Sequence, residues 1–304
     1  MPLPIHEFAA LGTATRWAVS ALFSADAVRA LGPFHFNLLR RVFVTALLVG
    51  PVLLLGGAVW PDSPVLLRLP LSGFAGILQG DTFNFAAVGR LGPRRAGAVF
   101  ALNAPMAAGL AWVFLGETLH LQAVLGIIIT VIGVALAIMG YSGAQAHRSE
   151  QIRGALLAGL GFGLLAGLGQ ATGSLLARPI LAGGMDPYFA SLIRVGTSAL
   201  AMPAMSLTPL APPSPTRPSA RVLALTGAVA VIGLFLGVTL FLFALSGANG
   251  IIATLSATSP VIILPLIWAR TGQRPRPLAW AEALTAVLGL ALIFLRRALF
   301  GPYA

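Results

Sequence analysis

The sequence predicts an all-α integral membrane protein whose ten transmembrane helices form two inverted five-helix repeats. Three observations predict this fold: a weakly charged composition, ten apolar segments of membrane-spanning length, and sequence matches between the two halves. Of the 304 residues, 58% are hydrophobic and only 9% are charged, whereas a soluble domain has about 25% charged residues. So few charges cannot cover a water-facing surface, which excludes a soluble enzyme and a nucleic-acid-binding domain.

Each apolar segment is long enough to cross the hydrocarbon core of a bilayer, which takes roughly 20 residues. Pro105 and Pro260 fall inside two of these segments and predict interrupted helices. The first segment follows Glu7 and contains Arg16, which is atypical of a cleaved signal peptide, so we predict a retained span. Spans 1 to 10 are predicted at about 8–25, 36–57, 69–88, 96–115, 121–140, 154–177, 187–207, 222–245, 249–269 and 278–295.

The two halves of the chain match each other in the same order. Pairs at a constant offset, or with one or two inserted residues, are Gly32-Pro33-Phe34 with Asp186-Pro187-Tyr188, Leu38-Leu39-Arg40 with Leu192-Ile193-Arg194, Asn103-Ala104-Pro105 with Thr258-Ser259-Pro260, and Gly133 with Gly289. We therefore predict a first repeat in residues 1–146 and a second in 147–304. Because each repeat has five spans, the second enters the membrane in the opposite sense. This inverted arrangement is typical of secondary transporters, whose substrate site lies between the halves.

A run of motifs in the first half resembles the EamA repeat of the drug/metabolite transporter superfamily. These motifs are FAAVGRLGP at 85–93, LNAP at 102–105, WVFLGE at 112–117, and Gly126 with Gly133. The second half departs from the pattern at Gln273 and Glu282. The resemblance implies a secondary transporter or exporter of small metabolites, amino acids or drugs, lined mainly by spans 1, 3, 4, 6, 8 and 9. It also implies a multi-pass protein of a bacterial-type inner membrane.

The residue types present exclude several other kinds of chemistry. All 19 basic residues are arginine, so the chain has neither a P-loop lysine nor a Schiff-base lysine. It has no cysteine and only 4 histidines, each near a terminus or a segment end. We therefore predict no cofactor, no metal site and no enzymatic activity. The net charge of +11 is attributed to loops that face anionic lipid headgroups, because no basic stretch is long enough for nucleic acid.

Ionisable side chains inside a span are costly, and they are therefore candidates for function. Arg16 and Asp81 lie deepest. They either neutralise each other as a buried pair, or line a cavity where Arg16 attracts a carboxylate or phosphate. Asp81 would then bind an ammonium group or carry a coupling proton. Together with neutral hydrogen-bonding groups and one aromatic ring, the predicted substrate-binding residues are Arg16, Trp17, Gln79, Asp81, Asn84, Asn103, Gln170 and Thr258.

Other charged residues are given structural roles. Arg40, Arg41 and Arg194 lie nearer to span ends, so we expect them to pack or to snorkel to the headgroups. Glu117 and Glu282 are expected at the membrane interface. Eleven arginines fall in the odd-numbered loops and four on the opposite side. That bias places both termini outside, whereas similar ten-helix transporters have cytoplasmic termini, so both orientations stay open.

The predicted partners are the lipid bilayer and a small-molecule substrate with an anionic or zwitterionic head, such as an amino acid. Transport by alternating access through a central cavity is the leading hypothesis, with export as the expected direction and a proton as the candidate coupling ion. The alternatives are a non-transporting membrane scaffold or sensor and, less favoured by the residue inventory, an intramembrane enzyme. The sequence fixes neither the substrate nor the oligomeric state.

Overall fold

The computed structural model describes residues 5–55, 63–116, 118–139, 152–207, 218–246, 255–256, 258–272 and 274–300. These residues are helical apart from short connections. The helices are α1 (Ile5–Leu55), α2 (Ser63–Gly73), α3 (Gly80–Leu91), α4 (Pro93–Phe100), α5 (Asn103–Leu115), α6 (Leu121–Met139), α7 (Leu156–Ala182), α8 (Pro187–Met205), α9 (Ala220–Val229), α10 (Gly237–Ser246), α11 (Ser259–Thr271) and α12 (Pro277–Phe300). A π-helical turn, Phe74–Gln79, joins α2 to α3, and another, Ala230–Leu236, joins α9 to α10.

These helices make up the ten predicted spans, and the all-α membrane architecture is confirmed. α1 provides spans 1 and 2. The expected connection between them is reduced to one non-helical residue, Gly32, with φ 77° and ψ 157°. A side chain at this φ would be strained, and the following Pro33 suits the start of a new helical limb. α2 and α3 form span 3, α4 and α5 form span 4, α9 and α10 form span 8, and α6, α7, α8, α11 and α12 form spans 5, 6, 7, 9 and 10.

Local structure repeats at equivalent positions of the two halves. Both π-helical turns interrupt the third span of their repeat, and each is followed directly by a glycine, Gly80 or Gly237. The fourth span of each half has a helix that begins two residues before Pro105 or one before Pro260, since proline is tolerated in a first turn. The same two helices end at Gly116 and Gly272, both left-handed. The repeat inferred from sequence is therefore a repeat of backbone geometry.

Glycines bring neighbouring spans into close contact, as their spacing predicts. A Cβ added to Gly126 on α6 would lie 2.5 Å from the carbonyl oxygen of Gly289 on α12. A Cβ added to Gly173 on α7 would lie 2.7 Å from Cα of Gly76 in the first π-helical turn. Small residues permit such backbone approach, which is a main source of helix association in lipid. Spans 5 and 10 thus pack on each other, and span 6 packs on span 3.

The structure corrects the expected positions of several charges. Arg40 and Arg194 do not snorkel, because they are 3% and 1% exposed within the protein. Glu282 is not at an interface; it is buried, and its Oε2 lies 2.9 Å from Nη1 of Arg94. Arg94 and Arg95, two of the eleven arginines assigned to the odd-numbered loops, are buried in α4. The arginine bias of the odd-numbered loops is therefore smaller than the sequence count. Glu117 lies outside the described residues.

Candidate functional site

A cavity of about 870 Å³, measured with its open mouth, lies between the two halves of the protein. Spans 1 to 4 of the first repeat and spans 6 to 9 of the second contribute to its wall, and none of its lining residues lies on α6 or α12. Most of the wall is apolar. Its polar and aromatic side chains are Trp17, Ser20, Arg40, Asp81, Asn84, Phe85, Phe100, Gln170, Arg194, Phe241 and Ser259.

Half of the eight predicted binding residues line this cavity: Trp17, Asp81, Asn84 and Gln170. Arg16, Gln79, Asn103 and Thr258 are not among its lining residues. Arg16 is half-buried, and its Nε is buried without a hydrogen-bond partner. Gln79 is half-buried at the end of the first π-helical turn. Their role in substrate binding stays a prediction.

Asn103 and Thr258 occupy equivalent positions and make equivalent bonds. The Asn103 amide donates to the carbonyl of Phe100 over 2.6 Å, and the Thr258 hydroxyl donates to the carbonyl of Leu255 over 2.7 Å. Each partner lies three residues earlier, beside the start of the helix that carries Pro105 or Pro260. These bonds satisfy carbonyls where the helical ladder is interrupted. This geometry gives both side chains a structural role at the interrupted fourth span.

Trp17 forms an aromatic wall that joins the two halves. Its ring centroid lies 6.4 Å from that of Phe100 in an edge-on contact and 5.2 Å from that of Phe241 in a tilted contact. A Cβ added to Gly237 would lie 3.0 Å from the Trp17 Nε1, so α10 approaches the indole closely. Trp17 therefore faces the cavity, whereas the sequence left open that it faced lipid.

Asp81 forms an ion pair with Arg40, which excludes the Arg16–Asp81 pair that the sequence left open. Oδ2 of Asp81 lies 3.6 Å from Nη1 of Arg40. The same Arg40 nitrogen donates to Oδ1 of Asn37 over 3.1 Å. The guanidinium also lies over Phe85 and Phe36, 4.6 Å and 5.3 Å from the ring centroids. A carboxylate, an amide and two aromatic faces thus surround the Arg40 charge.

Arg41 belongs to the scaffold beside the cavity. It is fully buried and does not line the cavity. Its Nη2 donates to the carbonyls of Ile77 over 2.5 Å and Leu78 over 3.3 Å, both in the first π-helical turn. The i→i+5 pattern of a π-helix disturbs the regular ladder, and a guanidinium can satisfy the displaced carbonyls. Arg41 therefore ties the second limb of α1 to the interrupted third span.

Arg194 is the cavity residue that sequence reasoning missed most clearly. Within the described part of the chain its side chain makes no hydrogen bond or ion pair, and its buried Nε has no partner. Its Nη2 would lie 2.9 Å from a Cβ added to Gly76. At the equivalent place in the other repeat, Gly233 faces Nη2 of Arg40, 3.7 Å from an added Cβ. The signal in the sequence was the repeated Leu-Leu-Arg and Leu-Ile-Arg match that ends in these two arginines.

The side chains that line the cavity are suited to binding a small molecule. Among the residues that the structure describes, no group of three or more histidine, cysteine, aspartate or glutamate side chains is placed to hold a metal ion. The cavity offers hydrogen-bond donors, one carboxylate, two guanidinium groups and aromatic surface. An organic molecule with a polar head and an apolar body fits this combination.

Comparison with known proteins places this fold in a family. The model of the EamA-like transporter family matches residues 5–139 and again residues 157–295. One solved structure, described only as a crystal structure of a protein, covers 95% of this chain and 96% of its own, with a TM-score of 0.66 and 17% identity. At that identity the likeness concerns the fold alone. No curated protein matches the chain.

Proposed function

The chain belongs to the EamA-like transporter family, and on that premise we propose that it is a secondary active transporter that moves small organic metabolites, such as amino acids, by alternating access. The expected direction is export, and the expected location is an inner membrane of the bacterial type. The family makes it a multi-pass membrane protein of the drug/metabolite transporter superfamily. The repeat boundary near residue 146 is part of the same proposal.

The cavity between the two halves is the observation that carries this proposal. Eight spans, four from each repeat, contribute to its wall. Inverted-repeat transporters bind their substrate at such an interface, where interrupted helices expose polar backbone to the site. Here the interrupted third, fourth, eighth and ninth spans all contribute lining residues. The mostly apolar wall and its aromatic rings suit an amphipathic metabolite.

Alternating access is supported by the equivalent interruptions in spans 3 and 8. A π-helical turn is a local departure from the regular ladder, and such turns are frequent at functional sites. Both turns lie against the cavity, through Gly76 and Gly233. If the two repeats exchange conformations, each turn adopts the geometry of the other, and the cavity opens to the opposite side.

A proton is the proposed coupling ion, and Asp81 is its proposed carrier. Asp81 is the carboxylate that lines the cavity among the described residues, and its side chain is 25% exposed there. The charged groups around it are Arg40 and Arg41 from α1 and Arg194 from α8. Asp81→Asn is expected to remove the acceleration of flux by an imposed pH gradient while leaving exchange intact.

Counterflow in proteoliposomes tests transport directly, with a panel of radiolabelled amino acids that includes leucine and phenylalanine. Gly97→Leu is the matched variant, because Gly97 lines the cavity and a Cβ added to it would meet no heavy atom within 4 Å. The added side chain is expected to project into the cavity, obstruct the binding space and abolish flux without unfolding the protein. Gly109→Leu is the control on the same span, since Gly109 also has open space but lies outside the cavity.

The outcomes separate the three classes of function. Saturable flux that Gly97→Leu abolishes and Gly109→Leu retains supports a transporter. Binding without saturable flux for every compound of the panel identifies a scaffold or sensor. Chemical conversion of a bound compound, detected by mass spectrometry, identifies an enzyme.

A further inference from the structure

We propose that the cavity holds an oxyanion subsite at Arg194: a carboxylate or phosphate of an amphipathic small molecule binds the Arg194 guanidinium, and Asp81, paired with Arg40, is the internal counter-ion with which it competes. This inference rests on the proposed transport function and names the charge class of the cargo. It assigns the anion to a residue other than Arg16, the site indicated by the sequence.

The charge balance of the cavity favours an anion. The ionisable side chains that line it, within the described residues, are Arg40, Arg194 and Asp81. One carboxylate thus faces two guanidinium groups, and that carboxylate lies 3.6 Å from Arg40. Arg41 adds a third buried positive charge behind the wall, although its hydrogen bonds go to two backbone carbonyls and to the side chains of Met202 and Thr82. The described part of the cavity therefore has an excess of positive charge.

The positive charge of Arg194 is less well stabilised by its neighbours than that of Arg40. A buried guanidinium without a partner is costly, because burial removes water and nothing replaces it. Arg40 has a carboxylate at 3.6 Å, an amide and two aromatic faces. Arg194 is 1% exposed, and within the described residues its side chain has no hydrogen bond or ion pair, so Asp81 acts on it only by longer-range Coulomb attraction. The position that corresponds to Asp81 in the second repeat is Val238, which is apolar. An incoming anion can supply the charge that the second repeat lacks.

The geometry holds the guanidinium in place for this role. Gly76 lets the arginine pass close to the first π-helical turn, since any Cβ there would lie 2.9 Å from Nη2. Gln170 lies at the same point, with its Oε1 3.7 Å from that Cβ position, and it also lines the cavity. A planar guanidinium donates in a fixed fork that matches a carboxylate or phosphate edge. The amide of Gln170 offers an additional donor beside it.

The rest of the cavity wall indicates what kind of group is attached to the anionic head of the ligand. Trp17, Phe100 and Phe241 form one continuous aromatic surface, and Val238 and Ile263 also line the cavity. Such a wall favours a ring or an alkyl chain attached to the anionic head. The ligand class is therefore an amphipathic oxyanion, and a polyvalent hydrophilic anion is excluded by the apolar surface.

A charge series of matched probes tests the subsite. Purified protein in a neutral maltoside detergent is titrated with 3-phenylpropionate, 3-phenylpropanamide and 3-phenylpropylamine, which share a body and differ in head charge. Thermal shift and tryptophan fluorescence report binding, because Trp17 lies in the cavity wall. We expect the carboxylate to bind about 10-fold or more tightly than the amide, since hydrogen bonds to charged groups are the stronger kind. The amine is expected to bind least.

Variants assign the effect to Arg194. Arg194→Gln is expected to reduce carboxylate affinity to that of the amide, and Arg194→Lys to retain part of the difference because it keeps the charge without the fork. Arg95→Gln is the control, because Arg95 is also buried but does not line the cavity. Asp81→Asn is expected to increase carboxylate affinity by removing the competitor. Gel-filtration profiles identify any variant that fails to fold, and Arg194→Lys then serves in place of Arg194→Gln.

Each result either supports or overturns the inference. Equal binding of carboxylate and amide by the wild-type protein overturns it, as does weaker carboxylate binding by Asp81→Asn. Lipid phosphate is the other source of this chemistry, so phosphatidylglycerol and phosphatidylcholine are added in parallel. If phosphatidylglycerol stabilises the protein in an Arg194-dependent manner and 3-phenylpropionate does not, the site binds lipid. That result overturns the proposal that the anion is a cargo molecule. Saturable counterflow without charge discrimination refutes this inference alone and leaves the proposed transport intact.

Discussion

Replacing Glu282 with glutamine removes the negative partner of a buried ion pair that joins the two repeats. Oε2 of Glu282 on α12 accepts from Nη1 of Arg94 on α4 at 2.9 Å, and the two side chains are 2% and 10% exposed. Arg94 also donates to the carbonyl of Ala137 over 3.5 Å. After the substitution, the Arg94 charge stays in the interior without this carboxylate.

The magnitude follows from the separation and the burial. At 2.9 Å and an effective dielectric of about 20, the Coulomb attraction is about 6 kcal/mol before the desolvation of both groups is subtracted. Breaking a buried pair by removing one partner costs about 3–5 kcal/mol, because the other charge is left uncompensated. For a protein of this size, that cost corresponds to a fall in Tm of about 5–10 °C.

Asp26→Asn is the matched control, since it breaks a pair that is shorter but exposed. Nη2 of Arg270 lies 2.6 Å from Oδ2 of Asp26, whose side chain is 52% exposed. Exposed pairs contribute about 0–1 kcal/mol, so its Tm should fall by at most about 2 °C. The assay is thermal unfolding of both variants in one detergent, followed by gel filtration of the heated samples. The reasoning is refuted if the two variants lose equal stability, because burial would then not decide the effect.

Three further predictions concern the packing. Gly126→Ala should cost about 1–3 kcal/mol, because its methyl group meets backbone of α12; Gly109→Ala, in open space, should raise Tm slightly, and thermal unfolding compares them. Gly233→Ala should slow counterflow because its Cβ overlaps the Ser20 side chain, and adding Ser20→Gly should restore it. Arg41→Lys should lower Tm, since one ammonium cannot replace both Nη2, which donates to the carbonyl of Ile77, and Nη1, which donates to the sulfur of Met202; an unchanged Tm contradicts its scaffold role.

The spans and the repeat could be predicted from the sequence because they depend on local apolar length and on motifs that recur along the chain. Apolar length predicts a span directly, and the family match covers both predicted halves. The matched pair Pro105 and Pro260 predicted interruptions, and each proline lies in the first turn of a helix that follows a break. The π-helical turns were not predicted, because an i→i+5 turn depends on tertiary contacts such as those of Arg41 and has no strong sequence signature.

The charged contacts of the site were harder to predict from sequence. The position of a residue along a span indicates its depth in the membrane but not which side chains lie beside it. Arg94 and Glu282 are 188 residues apart, and no local pattern reports their contact. Arg40 and Arg194 lie near predicted span ends, where snorkelling is the usual outcome. Arg40 is buried because α1 runs through the expected connection with only the kink at Gly32. Arg194 is buried although its helix begins at Pro187, as predicted. Position in the repeat was the better guide, since it paired the two arginines.

The glycine–arginine contacts beside the cavity are repeated in both halves of the protein, whereas the carboxylate is found in one half. This difference in charge connects ligand binding to conformational change. Gly76 faces Arg194 and Gly233 faces Arg40, so each repeat places a glycine of its third span opposite the arginine of the other repeat. Asp81 forms its ion pair with Arg40, and Val238 stands at its equivalent position. A ligand shifts a conformational equilibrium only by its difference in affinity for the two states. If the proposed anion binds at Arg194, it supplies to the second repeat the charge that Asp81 supplies to the first. The two states would then be electrostatically more alike, and their exchange would be favoured when cargo is bound.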